Sequence, residues 1–134
     1  MQFSQETDYA LRLVDFFARE KDDTFMNAKE LSTRLKIPYR FLLRVLGKLK
    51  RGGILASKMG ESGGYRLARP PAKITLRQVV VLIEGQGPLV RCMQNTALCN
   101  AAFAPGCRVH KAMHKIQDRV YRILDQYTFD TLEN

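Results

Sequence analysis

Three cysteines lie close together in the last third of this 134-residue chain. They are Cys92, Cys99 and Cys107, and His110 follows the last of them, which gives the spacing C-x6-C-x7-C-x2-H. Thiolate and imidazole groups are ligands for soft transition metals and for iron–sulfur clusters. The clustering therefore predicts a metal or redox centre in this part of the chain.

Residue chemistry alone leaves the nature of that centre open. An iron–sulfur cluster, an irregular zinc site and redox-active thiols all fit, although the spacing lacks the tight C-x2-C pairs of structural zinc sites. The alternative is that the three cysteines are unrelated small residues of the interior. Three thiols are too few for a disulfide scaffold, and their odd number favours a reducing compartment.

The histidines do not indicate catalysis. His110 and His114 are four residues apart on a predicted helix, a spacing that can bind zinc. Lys111, however, stands where a HExxH hydrolase carries its glutamate. Nothing resembles an oxyanion site beside a cysteine–histidine pair, so we predict that the protein is not an enzyme and that His114 is a surface residue.

Positive charge is the second feature with chemical meaning. The chain has a formal net charge of +9, of which residues 1–91 carry +8. Residues 31–60 contain eight basic residues and no acidic one. Such a surface attracts a polyanion and gains binding energy from counterion release, although charge runs are also common as solvated faces.

The basic residues fall on a predicted helix-turn-helix. Apolar periodicity predicts a first helix over residues 7–18 and a third helix over residues 39–51. Between them, a second helix begins at Asn27, with Glu30 in a capping-box-like position, and ends before Pro38.

The third helix and the segment after it predict a DNA-binding unit. Beside its apolar stripe, Arg40, Arg44 and Lys48 recur every four residues on a separate face. Residues 54–58 and 65–67 then predict a β-hairpin around a glycine-rich turn. This order is that of a winged helix-turn-helix, whose third helix enters the major groove. The residues predicted to contact DNA are Tyr39, Arg40, Arg44, Lys48, Lys50, Arg51, Lys58 and Ser62.

The C-terminal part of the chain predicts a dimerisation helix. A helix capped by Thr75 runs to about residue 84, a stretch without periodicity follows, and a long helix spans about residues 107–127. Its apolar positions form a heptad seam, for which a second copy of the chain is the natural partner and packing on the first helix the alternative. The seam consists of Val109, Met113, Ile116, Val120, Ile123 and Tyr127.

These elements predict a mainly α fold with a small β-hairpin, a winged helix-turn-helix followed by a long C-terminal dimerisation helix. We divide it into a DNA-binding domain (1–88), a cysteine-bearing loop (89–107) and a dimerisation helix with its tail (108–134). The longest aliphatic run, residues 79–83, is far shorter than the roughly 20 residues of a membrane span. We expect a cytoplasmic protein without a membrane partner.

The sequence resembles the winged-helix transcription regulators that include IscR, NsrR and RirA. The resemblance covers essentially the whole chain, and its most specific feature is a Gly-Gly-Tyr wing followed by three cysteines. Besides the cysteine segment, the matching residues are Thr7-Asp8-Tyr9-Ala10-Leu11-Arg12, Gly53-Ile54-Leu55-Ala56-Ser57, Gly63-Gly64-Tyr65-Arg66-Leu67 and Tyr127-Thr128-Phe129 with Leu132.

The resemblance implies a cytoplasmic homodimer, more often a repressor, that binds pseudo-palindromic promoter DNA. It also implies an iron–sulfur cluster at Cys92, Cys99 and Cys107 whose state changes DNA affinity. The fourth ligand is either His110, as in IscR-like members with a 2Fe–2S cluster, or Asp8 of the partner subunit, as in NsrR-like members with a 4Fe–4S cluster. The alternative function is a redox- or zinc-responsive cysteine protein that acts through a protein partner.

Overall fold

The computed structural model describes residues 2–100 and 106–133. Within them lie six α-helices, one two-stranded sheet and two 3-10 turns, at Pro71–Lys73 and Thr96–Leu98. The helices and strands, in chain order, are α1 (Gln5–Arg19), α2 (Ala28–Leu35), α3 (Tyr39–Arg51), β1 (Leu55–Lys58), β2 (Gly64–Leu67), α4 (Leu76–Glu84), α5 (Arg91–Gln94) and α6 (Arg108–Gln126).

Side-chain caps define where the helices begin. The Ser4 hydroxyl accepts a hydrogen bond from the Thr7 amide at 3.3 Å, so α1 starts two residues before the predicted position. Asn27 caps α2 as predicted, but Glu30 forms an ion pair with Arg34 at 3.0 Å rather than completing a capping box. The predicted capping box at Thr75 is complete and starts α4.

A single apolar core holds α1, α2, α3, α4 and the hairpin together. In α3 the stripe Leu42, Val45, Leu46 and Leu49 is fully buried. Phe41, the apolar residue directly before Leu42, is half-buried at the edge of this stripe, with its ring centroid 6.4 Å from that of Tyr9.

The hairpin is fastened to the loop that precedes α2. β1 and β2 pair antiparallel, with Leu55 opposite Leu67 and Lys58 opposite Gly64. Met26 and Tyr65 exchange two backbone hydrogen bonds of 2.9 Å, which extend the sheet by one bridge. The predicted hairpin is therefore the wing of a helix-turn-helix, and β1 packs directly against α3.

α6 lies outside this core and packs mainly on α4. The Arg77 guanidinium lies 2.6 Å from the Asp125 carboxylate, and the chain after α6 returns to the core through buried Phe129. The main neighbours of α6 are α4 and α5 and not α1. Much of the predicted heptad seam is open to solvent, with Val109 66% and Ile123 54% exposed, while Met113 and Val120 are half-buried. None of the helices in the described ranges is long and apolar enough to cross a membrane.

Candidate nucleic-acid interface and cysteine pocket

The solvent side of α3 carries most of the predicted DNA contacts. Tyr39, Arg40, Arg44, Lys50 and Arg51 are all exposed, because the opposite side of the helix is buried in the core. The guanidinium carbons of Arg40 and Arg44 lie 5.5 and 5.7 Å from the centroid of the Phe41 ring. Cation–π contact of this kind orients both groups before any ligand arrives.

Lys48 is placed differently from the other basic residues of α3. Its Nζ atom lies 2.6 Å from Oε2 of Glu6 in α1, and both side chains are largely covered. The ammonium group is therefore engaged inside the protein and attaches α3 to α1. The phosphate contact expected of Lys48 stays a prediction, and the pairing with Glu6 had no signal in the local sequence.

The wing presents Lys58 and Ser62 on its exposed surface, with Met59 at the tip between them. Beneath them lies Phe25, whose ring centroid is 4.5 Å from the Arg66 guanidinium carbon and 5.9 Å from the Lys58 ammonium. Phe25 therefore supports the cations of the wing. Helix or strand periodicity could not identify it, since it lies in the loop before α2.

The cysteine segment folds into one small pocket. Cys92 lies in α5, Cys99 follows the turn Thr96–Leu98, and Cys107 is the N-cap of α6. All three are half-buried free thiols, and together with Thr96 and His110 they line a cavity of about 10 Å³. The structure thus brings together the three cysteines and the histidine that the spacing singled out.

The donor set of this pocket fits an iron–sulfur cluster in kind, since cysteine thiolates with an occasional histidine are the usual ligands of such clusters. The cavity, however, is the size of one water molecule. Among residues 2–100 and 106–133, no three His, Cys, Asp or Glu side chains stand close enough to hold a metal ion.

Asp8 does not belong to the pocket of its own chain. Its carboxylate lies 2.7 Å from the Arg12 guanidinium on the exposed side of α1. Arg12 also donates to the carbonyl of Leu35 at 3.2 Å, which joins α1 to the end of α2.

Glu84, which was not singled out in the sequence, ties the end of α4 to the start of α1. Its Oε1 atom accepts hydrogen bonds from the Thr7 hydroxyl and, at 2.6 Å, from the Ser4 amide. These hydrogen bonds, with Thr7 the largest contributor, lower the pKa of Glu84 below its ordinary value. The segment leading to Cys92 starts directly after this anchor.

The family model and the NsrR relatives that match this chain are all transcriptional regulators. The family model Rrf2, described as an iron-dependent transcriptional regulator, matches residues 3–134. The HTH-type transcriptional regulator NsrR of Halalkalibacterium halodurans is 33% identical over 98% of this chain and 90% of its own length. NsrR of Bacillus subtilis is 29% identical over the same shares of the two chains.

Two solved structures show the same fold. CymR, the global cysteine regulator of B. subtilis, has a TM-score of 0.76 at 22% identity and covers 97% of this chain and 94% of its own. T. potens IscR has a TM-score of 0.75 at 19% identity, with coverages of 97% and 85%. These neighbours confirm the predicted fold class.

Proposed function

Because the chain belongs to the Rrf2 family of transcriptional regulators, we propose that an iron–sulfur cluster at Cys92, Cys99 and Cys107 controls its affinity for promoter DNA. The family confirms the resemblance drawn from the sequence and the prediction that the protein is not an enzyme. DNA binding and transcription regulation follow from the same assignment. Control by a cluster is the proposal.

The observation that carries the proposal is the shared pocket of three half-buried thiols and His110. Sulfur ligands from one short segment, two of them at the ends of helical turns, suit a cluster that rearranges this segment when it is gained or lost. The segment lies between α4 of the DNA-binding unit and α6. A conformational change in this segment would alter the position of the DNA-binding unit relative to α6, and so the relative position of the two DNA-binding units of a dimer.

For the fourth ligand, the position of His110 at the pocket supports a 2Fe–2S cluster. The other candidate, Asp8 of the partner subunit, supports a 4Fe–4S cluster. In the isolated chain Asp8 is held by Arg12, so it would have to leave that ion pair to serve as a ligand.

We further propose that α3 enters the major groove while the wing follows the neighbouring backbone. Arg40 and Arg44 are the candidates for base reading, since arginine pairs bidentately with guanine, and the remaining cations are candidates for phosphate contact. The full proposed set is Tyr39, Arg40, Arg44, Lys48, Lys50, Arg51, Lys58 and Ser62.

The exposed seam of α6 supports a homodimer, with residues 1–88 as DNA-binding unit, 89–107 as cluster loop and 108–134 as dimerisation element, and membership of a transcription-regulator family supports a cytoplasmic location. A heptad face open to water is stabilised by pairing with another helix. Two subunits would place two copies of α3 on half-sites about one helical turn apart, as pseudo-palindromic operators require. A repressor fits this mode of binding.

A second candidate is a redox- or zinc-responsive thiol sensor without a cluster. It is favoured by the three free thiols that already line one pocket. With the family known, its output would be DNA binding rather than the protein partner first considered.

Anaerobic purification with visible spectra, iron, sulfide and zinc analysis separates the two. We expect a coloured protein whose absorption is lost in Cys92→Ala and kept in His114→Ala, the control on the same helix as His110. DNA affinity should change when the cluster is removed. A colourless protein with one zinc per chain would contradict the cluster and support the second candidate.

A further inference from the structure

α3 exposes an apolar side chain in the middle of its basic surface. Leu43 is 42% exposed and Tyr39, one turn before it, is 44% exposed. The other leucines of the helix are buried, so the core does not use Leu43. A single exposed leucine is unremarkable in general, but this one lies between two arginines on the helix proposed to read DNA.

The two arginines leave the flank of Leu43 uncovered. Arg40 and Arg44 both lie against the Phe41 ring, at 5.5 and 5.7 Å. Because successive residues of an α-helix are about 100° apart, positions 41 and 43 face opposite flanks of α3. The guanidinium groups are thus gathered on one flank, and Leu43 stands on the other.

Gly47 lies on the same flank of α3, one turn after Leu43, and adds no side chain there. It has no side chain, and the Arg51 guanidinium folds back to within 3.3 Å of where a Cβ atom would stand. A glycine inside a helix costs about 1 kcal/mol relative to alanine, and here the missing side chain leaves room for the Arg51 guanidinium. The result is a shallow apolar step formed by Leu43, with Arg40 and Arg44 on the opposite flank and the Arg51 guanidinium one turn further along the helix.

We propose that Leu43 is a specificity-determining residue that packs on the C5-methyl group of a thymine in the major groove. The inference rests on the proposed DNA-binding face. The thymine methyl is the apolar group that the major groove displays, and aliphatic side chains recognise it by contact. The arginines beside Leu43 bring the anionic duplex to the helix, while Leu43 distinguishes one base from the others.

The experiment starts from duplexes that the full-length protein selects from a randomised library, before and after iron chelation. Each thymine of a selected site is then replaced singly by deoxyuridine, which removes only the methyl group. For the unmodified protein we expect about a fourfold loss of affinity at one position of each half-site, the value of burying one methyl-sized group.

Leu43→Ala should bind the thymine and uracil duplexes equally, whereas Leu43→Met should still distinguish them. Since Leu43 is exposed and uncharged, the alanine variant keeps its fold and the salt dependence of binding, whereas Lys50→Ala lowers the salt slope by about 1. If Leu43→Ala and the unmodified protein respond alike to every replacement, the inference is overturned. A protein that selects no sequence and binds DNA without salt dependence would instead overturn the DNA-binding face itself, and the inference with it.

Discussion

The Nζ atom of Lys48 lies 2.6 Å from Oε2 of Glu6, and this ion pair fastens the middle of α3 to the first turn of α1. Lys48 is 31% exposed and Glu6 22% exposed, so water screens the pair only in part. Within the described residues, the Oε1 atom of Glu6 is buried and has no hydrogen-bond partner. A carboxylate in this position depends on the nearby ammonium group for compensation.

Replacing Lys48 should therefore lower stability more than DNA affinity. We expect Lys48→Ala to reduce the free energy of unfolding by about 1–3 kcal/mol, between the values for exposed and buried pairs, because it leaves Glu6 uncompensated. Urea denaturation measures this change. The salt slope of DNA binding should fall by less than it does for an exposed lysine of α3, because the ammonium group is already paired with Glu6.

Lys50→Ala is the matched control, since Lys50 lies on the exposed side of the same helix. We expect it to leave the unfolding free energy unchanged and to lower the salt slope by about 1, the effect of one lost phosphate contact. The opposite pattern, with Lys48→Ala altering the slope as much as Lys50→Ala and leaving the stability unchanged, would show that DNA and not Glu6 is the main partner of Lys48.

The attachment of the wing to the loop before α2 depends on Gly64. Its φ is +139°, and a Cβ atom there would lie 2.2 Å from the carbonyl oxygen of Met26. Gly60 also has a positive φ, +101°, but has open space around it. Comparing alanine substitutions at the two positions therefore distinguishes the effect of backbone strain from that of a steric clash.

Gly60→Ala should cost about 1 kcal/mol of unfolding free energy, from strain alone, and retain DNA binding. Gly64→Ala should cost several times more and weaken DNA binding, because the wing must move away from Met26. Thermal unfolding and DNA titration of both variants check this. Equal effects of the two substitutions would mean that the contact with Met26 does not position the wing.

Local signals explain why most of the fold was predictable. The caps at Asn27 and Thr75 and the apolar stripe of α3 are interactions within a few residues, and the sequence displays them directly. α5 was missed because four residues show no periodicity. The cysteines and His110 were identified as a site by their residue types, and their shared pocket is consistent with that expectation.

Contacts between distant parts of the chain were not predictable. Glu6 and Lys48 are 42 residues apart, and Ser4 and Glu84 are 80 apart. Nothing in either local sequence marks these pairs, because they exist only once α1 has packed on α3 and α4. The same holds for Phe25 beneath Arg66, which is a tertiary contact of a loop residue.

The hydrogen bonds to Glu84 predict a pH dependence of stability. They hold the pKa of Glu84 below its ordinary value of 4.5, so the native state favours the ionised carboxylate. The stabilisation is fully present above the unfolded pKa and is lost as pH falls through the lower, folded pKa. Stability should therefore decrease on acidification below about pH 4.5.

Glu84→Gln should flatten this part of the pH–stability curve and lower stability at pH 7 by about 1 kcal/mol or less, because a neutral amide oxygen accepts the same hydrogen bonds more weakly than a carboxylate. Glu61→Gln, which removes the same charge at the exposed turn of the wing, is the control and should change neither. Urea midpoints measured between pH 3 and 7 report both effects. A curve for Glu84→Gln that parallels the unmodified protein would contradict the role of this carboxylate.

The exposed seam of α6 predicts that a single charge will separate the subunits. Ile123 is 54% exposed in the isolated chain and lies in the same seam as Ile116. We expect Ile123→Asp to convert a dimer into a monomer, since a buried unpaired carboxylate at the interface costs several kcal/mol. Light scattering after size-exclusion chromatography measures the mass.

Arg122→Glu is the control for this substitution, since Arg122 is exposed on α6 outside the heptad positions. It introduces a carboxylate next to Ile123 in sequence, and the dimer should persist.

Ile123→Asp should also lose most of its DNA affinity, because two half-sites bound by one dimer give far tighter binding than one half-site. A monomeric unmodified protein, or a dimer that survives Ile123→Asp, would show that the seam of α6 is not where two copies meet.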